Sequence, residues 1–453
     1  MSSIVSIKSI SSIPPPTKPL QFLALLLFNC SLTKSPLTDP QPPMAFLPRI
    51  LTTLAALGLT LAPTFAPAQI PTPTFLQSEW DTATAQGELG PDTPAFWVRP
   101  GYRVTAVSPA LEEARFLEID TSGTLYVSQP GRGAVKTLRP GADGQYTPIA
   151  DFVSGMKTAH GLCLDTSGSL WITQTGSIHR ARDTNGDGKA DETKTIIPEG
   201  QLPKGGGHWW RSIVVAGDVL YTSIGDAGNI TNQTDTERQK IWRFNTDGTG
   251  KTLFASGLRN TEKLRLRPGT NELWGADHGS DWFGKEAGDK QGLQPVTDWN
   301  PPDEFNHYVE GGFYGHPFIV GNVVPRYEYL DRKDIIDLAA RTIPPAWSFG
   351  AHWATNAFCF LTRDTWPDHR GDAFVACHGS WNRSRRQGYR IERVMFDKLT
   401  GHPAGSLMIV GTIGRDGTEL ARPVDCVEAP DGSILFSCDT TRRIYRITPT
   451  VQP

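Results

Sequence analysis

The sequence predicts an all-β fold, a six-bladed β-propeller, on three observations. The 453 residues include Gly 45, Pro 36 and Trp 13, a mix that favours short strands and tight turns over long helices, and a hydrophobic content of 38% is enough for a core. One phrase, apolar strand then Gly-containing turn then apolar strand, recurs six times and predicts six sheets. The glycines of the first three turns, Gly123, Gly168 and Gly217, stand 45 and 49 residues apart, close to the length of a four-stranded blade with its loops.

In chain order the copies are LEIDTSGTLYVSQ (117–129), LCLDTSGSLWITQ (162–174), IVVAGDVLYTSIGD (213–226), LRLRPGTNELWGADHG (264–279), a looser FLTRDTWPDHRGDAFVACHG (360–379) and VEAPDGSILFSCDT (427–440). Five are followed by a further alternating strand: 134–140, 177–183, 240–248, 388–397 and 443–449. Apolar residues there alternate with Arg or other polar groups, the pattern of an outer strand with one wet face. The stretch 280–345 breaks the rhythm and predicts a large inserted loop over one mouth of the channel, where function tends to sit. A β-sandwich pair is the weaker alternative, because it does not explain the regular repeat.

The first 68 residues do not read as folded protein. Residues 44–68 carry one early positive charge at Arg49, an apolar run and Ala66-Pro67-Ala68 before Gln69, the pattern of a signal peptide with an A-x-A cleavage site. Met44 is then the expected start. Residues 1–43 read as a mis-called N-terminal extension, with a lipid anchor at Cys30 as the alternative. This leaves 69–453 as a single propeller domain, expected to be periplasmic or secreted. No later segment reaches the ~18 apolar residues of a membrane helix. The formal charge of −3 with no basic block argues against nucleic acid as a partner. Five cysteines remain after residue 68, and none forms CxxC, which excludes zinc clusters. Cys426 and Cys438 flank a turn nearly symmetrically and are either a cross-strand disulfide or two buried thiols.

Four groups of residues carry chemistry. His208, after three glycines and before two tryptophans, suits a general base near neutral pH, with Asp226 of the Ile224-Gly225-Asp226 turn able to hold its tautomer; a plain loop histidine is the competing reading. Asp183, Asn185, Asp187 and Asp191 occupy positions 1, 3, 5 and 9 of an EF-hand-like loop whose position 12 is Lys194, so the loop is either a modified calcium site or an Asx-rich turn. The segment 378–386 sets Arg383 and Arg386 beside Trp381, a cluster for a planar ligand bearing carboxylates or else a solvated basic turn. Arg259-Asn260 and Arg422-Pro423 adjoin strands near the same mouth and add donors.

Together these residues resemble the glucose/sorbosone dehydrogenase family, exported six-bladed propellers that use pyrroloquinoline quinone. The resemblance runs over roughly 105–448. It rests on Gly257-Leu-Arg259-Asn260, Ala276-Asp-His278-Gly279, Pro302-Asp-Glu304-Phe-Asn306 with Gly312-Phe-Tyr-Gly315-His-Pro317, Ala351-His352-Trp-Ala354, and the segment 371–384, which looks closest to the sorbosone dehydrogenase-like branch. It implies His208 as the base that takes the sugar hydroxyl proton, oriented by Asp226, and Arg259 and Asn260 against the quinone and its reacting carbonyl. It also implies the carbonyls of Gly279 and Ser280 as ligands of Ca2+, and Arg422 with Arg383 or Arg386 at the cofactor carboxylates. The implied function is oxidation of a sugar or sugar-derived alcohol or aldehyde by hydride transfer, with electrons passed to an external acceptor. Gly207, Thr261-Glu262, His316 and Asn356 depart from the family pattern and lie toward the substrate. A propeller lactonase or other hydrolase with a channel metal, and a non-catalytic binding propeller, are the competing functions.

Overall fold

Each copy of the repeated phrase closes as a hairpin because its turn satisfies its own backbone. In the computed structural model, Asp120 Oδ1 accepts the N–H groups of Ser122 and Thr124, each at 2.9 Å, and Asp165 Oδ1 accepts those of Ser167 and Ser169 at 2.8 and 3.0 Å. Asp431 does the same for Ser433 at 2.9 Å. The structure describes residues 84–85, 92–283 and 296–450, so the expected extension at 1–43 and signal segment at 44–68 lie outside the described residues.

The hairpins build six sheets. From inner to outer strand they are Leu117–Ile119, Leu125–Gln129, Ala134–Pro140 and Tyr146–Val153 (blade 1); Leu162–Leu164, Leu170–Thr173, Ile178–Arg182 and Glu192–Ile197 (blade 2); and Val214–Ala216, Val219–Ile224, Lys240–Asn245 and Thr252–Ser256 (blade 3). Blade 4 is Thr261–Leu266, Leu273–Asp277, Pro302–Tyr308 and Trp347–Ala351, and blade 5 is Thr355–Phe360, Ala373–Cys377, Arg390–Phe396 and Pro403–Gly411. In blade 6, Pro423–Glu428, Ile434–Cys438 and Arg443–Pro449 are completed by Tyr102–Ala106 from the other end of the chain, pairing antiparallel with Arg443–Pro449. That pairing closes the ring and removes the open edge a linear array would leave.

Second strands such as Leu125–Gln129 and Ala373–Cys377 are buried at every residue, because neighbouring blades cover both faces. The core accordingly lies between blades. One cluster joins Trp171 of blade 2, Leu220 and Phe244 of blade 3 and Leu264 of blade 4, and another joins Trp274 and Phe305 of blade 4 to Phe358 and Phe396 of blade 5.

One expectation needs correction, and one open alternative is decided. The stretch 280–345 is not all inserted loop: it contains the third strand of blade 4, Pro302–Tyr308, whose buried positions include Asp303 and Asn306 and so hide the hydrophobic period. Cys426 and Cys438 are two buried thiols with no disulfide between them. The register sets Cys438 opposite Pro423 and Cys426 opposite Phe436, which keeps the two sulfurs out of facing positions. Among the described residues no helix is long and apolar enough to cross a membrane.

Candidate active site

Blade topology sorts the candidate residues by end. A residue just before an inner strand and one just after the second strand share one end of the hairpin. His208, Asp226, Arg259, Asn260, Gly279, Ser280, Arg383 and Arg422 all lie in such segments or in the neighbouring loops of the same mouth, whereas the Asp183 loop joins the third and fourth strands of blade 2 at the opposite end.

His208 is half-buried, and its Nδ1 lies 2.9 Å from the backbone carbonyl of Asp226. A carbonyl only accepts, so Nδ1 carries the proton and Nε2 keeps its lone pair. Burial and the nearby Arg259 guanidinium push the His208 pKa down to about 2, so the ring is neutral. The backbone approaches closely here: a Cβ at Gly225 would sit 2.9 Å from His208 Cβ and 2.8 Å from the Arg259 carbonyl. Of the three glycines before His208, one serves the same approach. Gly206, at φ +85°, lies against Ala227, where a Cβ would come within 2.6 Å of Cα.

Asp226 therefore orients His208, but not as expected. Its carboxylate accepts from His316 Nε2 at 2.8 Å, Gly228 N–H at 2.7 Å, Thr231 N–H at 3.0 Å and Gln239 Nε2 at 3.1 Å, and makes no bond to His208. Burial alone would raise its pKa, but the bond and charge interaction with His316 hold it at about 2. Asp226 pulls the His208 pKa upward through its backbone carbonyl and its charge, but burial and Arg259 outweigh that pull.

Arg259 and Asn260 open blade 4 under the control of Asp277, whose carboxylate accepts the Arg259 and Asn260 N–H groups at 2.9 and 2.6 Å. The Arg259 guanidinium reaches Asn229 Oδ1 and the Gly279 carbonyl at 2.8 Å each, and Asp281 Oδ1 at 3.0 Å. Asn260 Nδ2 donates to His278 Nδ1 at 3.1 Å, so the His278 proton sits on Nε2, which is buried with no hydrogen-bond partner. Gly279 N–H is held by Asp303 Oδ1 at 2.8 Å, and Asp303 Oδ2 takes Thr355 N–H at 3.0 Å, tying this corner to blade 5. Ser280 is buried, its Oγ receiving Arg326 Nη1 at 2.6 Å.

The remaining arginines separate. Arg383 Nη1 donates to the Ala351 carbonyl at 3.0 Å, and its neighbour Asn382 lines a hollow of about 60 Å³ with Arg259, His278 and Gly279. Arg386 is exposed and lies 4.0 Å from Glu419; neither arginine lines that hollow, and Arg383 acts on it through its charge at His352, one of the lining residues. Arg422 braces the backbone, donating to the carbonyls of His378 and Gly379 at 3.0 and 2.9 Å. Sequence reasoning missed Asn229, His316 as the partner of Asp226, and the donor role of His278. His278 and Asp277 stood in a quoted motif whose only assigned work was the backbone of Gly279.

In the Asp183 loop the acidic groups turn onto the loop itself. Asp183 accepts Gly186 and Gly188 N–H at 2.7 and 2.8 Å, Asn185 accepts Asp187 N–H at 2.8 Å, and Asp187 accepts Lys189 N–H at 2.8 Å. Asp191 accepts from Thr184 and Asn185. These bonds give the loop the geometry of successive Asx turns. The loop packs on blade 1 through Thr137 Oγ1 and the Gly188 carbonyl, 2.8 Å apart. A chelator is expected to shift the melting temperature of the Asp187→Ala protein and of the unaltered protein by the same amount; a calcium-dependent rise in the unaltered protein alone would restore the metal reading.

A model of the TrAA12-like family matches residues 96–324 and 332–450. The chain belongs to the TrAA12-like family. Among solved structures, this TrAA12-like protein is similar to the iodide structure of the Trichoderma reesei carbohydrate-active enzymes family AA12 protein. The likeness has a TM-score of 0.68 at 20% identity over 81% of this chain and 100% of that one. It is also similar to the holo form of the pyranose dehydrogenase PQQ domain from Coprinopsis cinerea, with a TM-score of 0.66 at 18% identity over 78% and 97% of the two chains. The PQQ-bound aldose sugar dehydrogenase of Streptomyces coelicolor follows with a TM-score of 0.52 at 18% identity over 78% and 99%. At these identities the likeness shows the fold. A curated relative from Borreliella burgdorferi, described as an uncharacterized protein, is 29% identical over 231 residues, 50% of this chain and 56% of its own length, so the chain spans about half of that relative.

Proposed function

We propose that this TrAA12-like protein is an exported quinone-dependent dehydrogenase that oxidises a sugar or sugar-derived alcohol or aldehyde, using pyrroloquinoline quinone and calcium. The carrying observation is His208. Its tautomer is set by a backbone carbonyl, its charge is suppressed, and Nε2 is left as a proton acceptor beside the Arg259 cluster.

The residues fit the quinone. The buried His278 Nε2–H lacks an acceptor and lies with Arg259 and Asn382 around a hollow open to solvent past Trp381, which is 68% exposed. Such donors suit a flat ligand that presents carbonyl and carboxylate oxygens. Pyrroloquinoline quinone, when bound, supplies a two-electron acceptor carbonyl, and calcium beside it, for which the Gly279 and Ser280 carbonyls are the candidate ligands, makes that carbonyl more electrophilic. Arg259 binds and orients the ligand, Arg383 adds positive charge nearby, Asn260 fixes His278, and His208 Nε2 takes the substrate hydroxyl proton. The electrons then leave to an external acceptor.

The family resemblance and the likeness to sugar dehydrogenase folds support this reading; the sorbosone-like branch is its finer form. The converging side-chain ligands that a channel-metal hydrolase needs are not gathered among the described residues. The test is an absorbance titration of purified protein with pyrroloquinoline quinone and calcium. Saturable uptake is expected, and none at all would favour the binding propeller. Arg383→Ala should weaken uptake by about 1.5–3 kcal/mol, the range for a hydrogen bond to a charged group; unchanged affinity removes Arg383 from the site.

A further inference from the structure

Two adjoining hollows lie on the same mouth as His208, off the channel axis over blades 1 and 2. They measure about 930 and 770 Å³ and share Gly155, Lys157, Thr158 and Trp209, so they form one trough. The trough reaches the residue next to the proposed base. Each hollow is at the upper end of the range for small-molecule sites and many times larger than the hollow at Gly279.

Its wall is a rigid aromatic step. Trp209 and Trp210 pack with ring centroids 3.7 Å apart at a tilt of 31°, and Trp210 also stacks on His160 at 4.1 Å and lies 5.2 Å from the Arg115 guanidinium. Trp210 is thus held by its neighbours, while half-buried Trp209 faces both hollows. The same hollow is lined by uncharged hydrogen-bonding groups, Gln174, Thr175, Ser177 and Thr195. The charges nearby are mostly paired: Lys204 with Glu199, and Arg132 with Glu112 at 2.9 Å. A polyanion finds little there.

An indole face against hydroxyls and amides is the chemistry that recognises a pyranose, whose ring presents an apolar C–H face and an equatorial rim of hydroxyls. We infer that the trough is a subsite for a carbohydrate chain, so that the sugar oxidised at His208 is the end unit of an oligosaccharide whose next units lie along Trp209. The inference rests on the dehydrogenase reading for its orientation, but binding in the trough is measurable without it.

The experiment uses the full mature chain free of quinone. Calorimetric titration compares glucose with malto-, cello- and xylo-oligosaccharides of two to six units. Affinity in at least one series should rise about tenfold, ~1.4 kcal/mol, from the monosaccharide to the tetrasaccharide. Trp209→Ala should abolish that gain, with circular dichroism and quinone uptake as checks of the fold. Thr195→Trp, which fills the trough from an exposed position on its wall, should abolish it as well and keeps the test decisive if the alanine variant misfolds. Equal affinity at every length in all three series overturns the inference, as does a gain that survives both substitutions. Oxidation of a panel of aldoses, sugar alcohols and sugar aldehydes by the quinone-loaded protein is read separately: turnover of none of them would remove the dehydrogenase reading while leaving chain-length-dependent binding in place.

Discussion

His208→Ala should lower kcat by roughly 10²–10⁴-fold, the usual contribution of a positioned general base, while quinone uptake stays near that of the unaltered protein. The pH profile is the sharper readout. With its pKa pushed down to about 2 by burial and Arg259, His208 is already deprotonated across pH 5–8, so no rise in rate through the ordinary histidine range should come from it. An anionic ligand on Arg259 offsets the second of those two causes. The His208 resonance in a ¹⁵N-histidine NMR titration should therefore move to a higher pKa when quinone is loaded. Asp226→Asn should disturb His316, whose Nε2 it holds at 2.8 Å, more than His208, which it holds through a carbonyl the substitution leaves in place. Stopped-flow reduction of the loaded quinone at the unaltered rate in His208→Ala would move the base elsewhere. His352 is one candidate, but its Nε2 is 2.6 Å from the Thr297 carbonyl, so the proton sits there and its lone pair on Nδ1 faces Asn382.

The architecture was legible where the sequence repeats. The strands 134–140 and 443–449 have the bounds read from alternation, although each is the third strand of its blade and not the outer one expected. Fourth strands such as Glu192–Ile197 were not legible: four of its six residues are exposed and no apolar face marks it. Pro302–Tyr308 failed for the opposite reason, since its buried positions carry polar groups that serve the site. At the site, residue types revealed which side chains matter but not what they touch. Asp226 was rightly placed beside His208, yet whether its carboxylate or its carbonyl faces the ring depends on His316, 90 residues away. Arg386 and Arg383 are indistinguishable in sequence, and only the fold of the segment between them turns one to Glu419 and the other to Ala351.

The largest stability effect should come from Lys263. It sits on the inner strand of blade 4, 1% exposed, and its Nζ reaches across the channel to Asp425 Oδ2 of blade 6 at 3.0 Å, Glu118 Oε1 of blade 1 at 3.2 Å and the Leu117 carbonyl at 3.1 Å. Arg265 joins the group at 3.1 Å from Glu118. Burial raises the Asp425 pKa against the pull of Lys263 and Arg265, so its charge depends on these cations. Lys263→Met keeps the volume of the stem but leaves a buried carboxylate without its nearest cation, which should cost about 3–5 kcal/mol in denaturant unfolding at pH 7. The loss should shrink on acidification, because protonating Asp425 removes the uncompensated charge. Asp425→Asn in the Lys263→Met background should recover a large part of it by the same argument. If Lys263→Met unfolded at the same denaturant concentration as the unaltered protein at pH 7, the three blades would be held at the channel axis by packing alone.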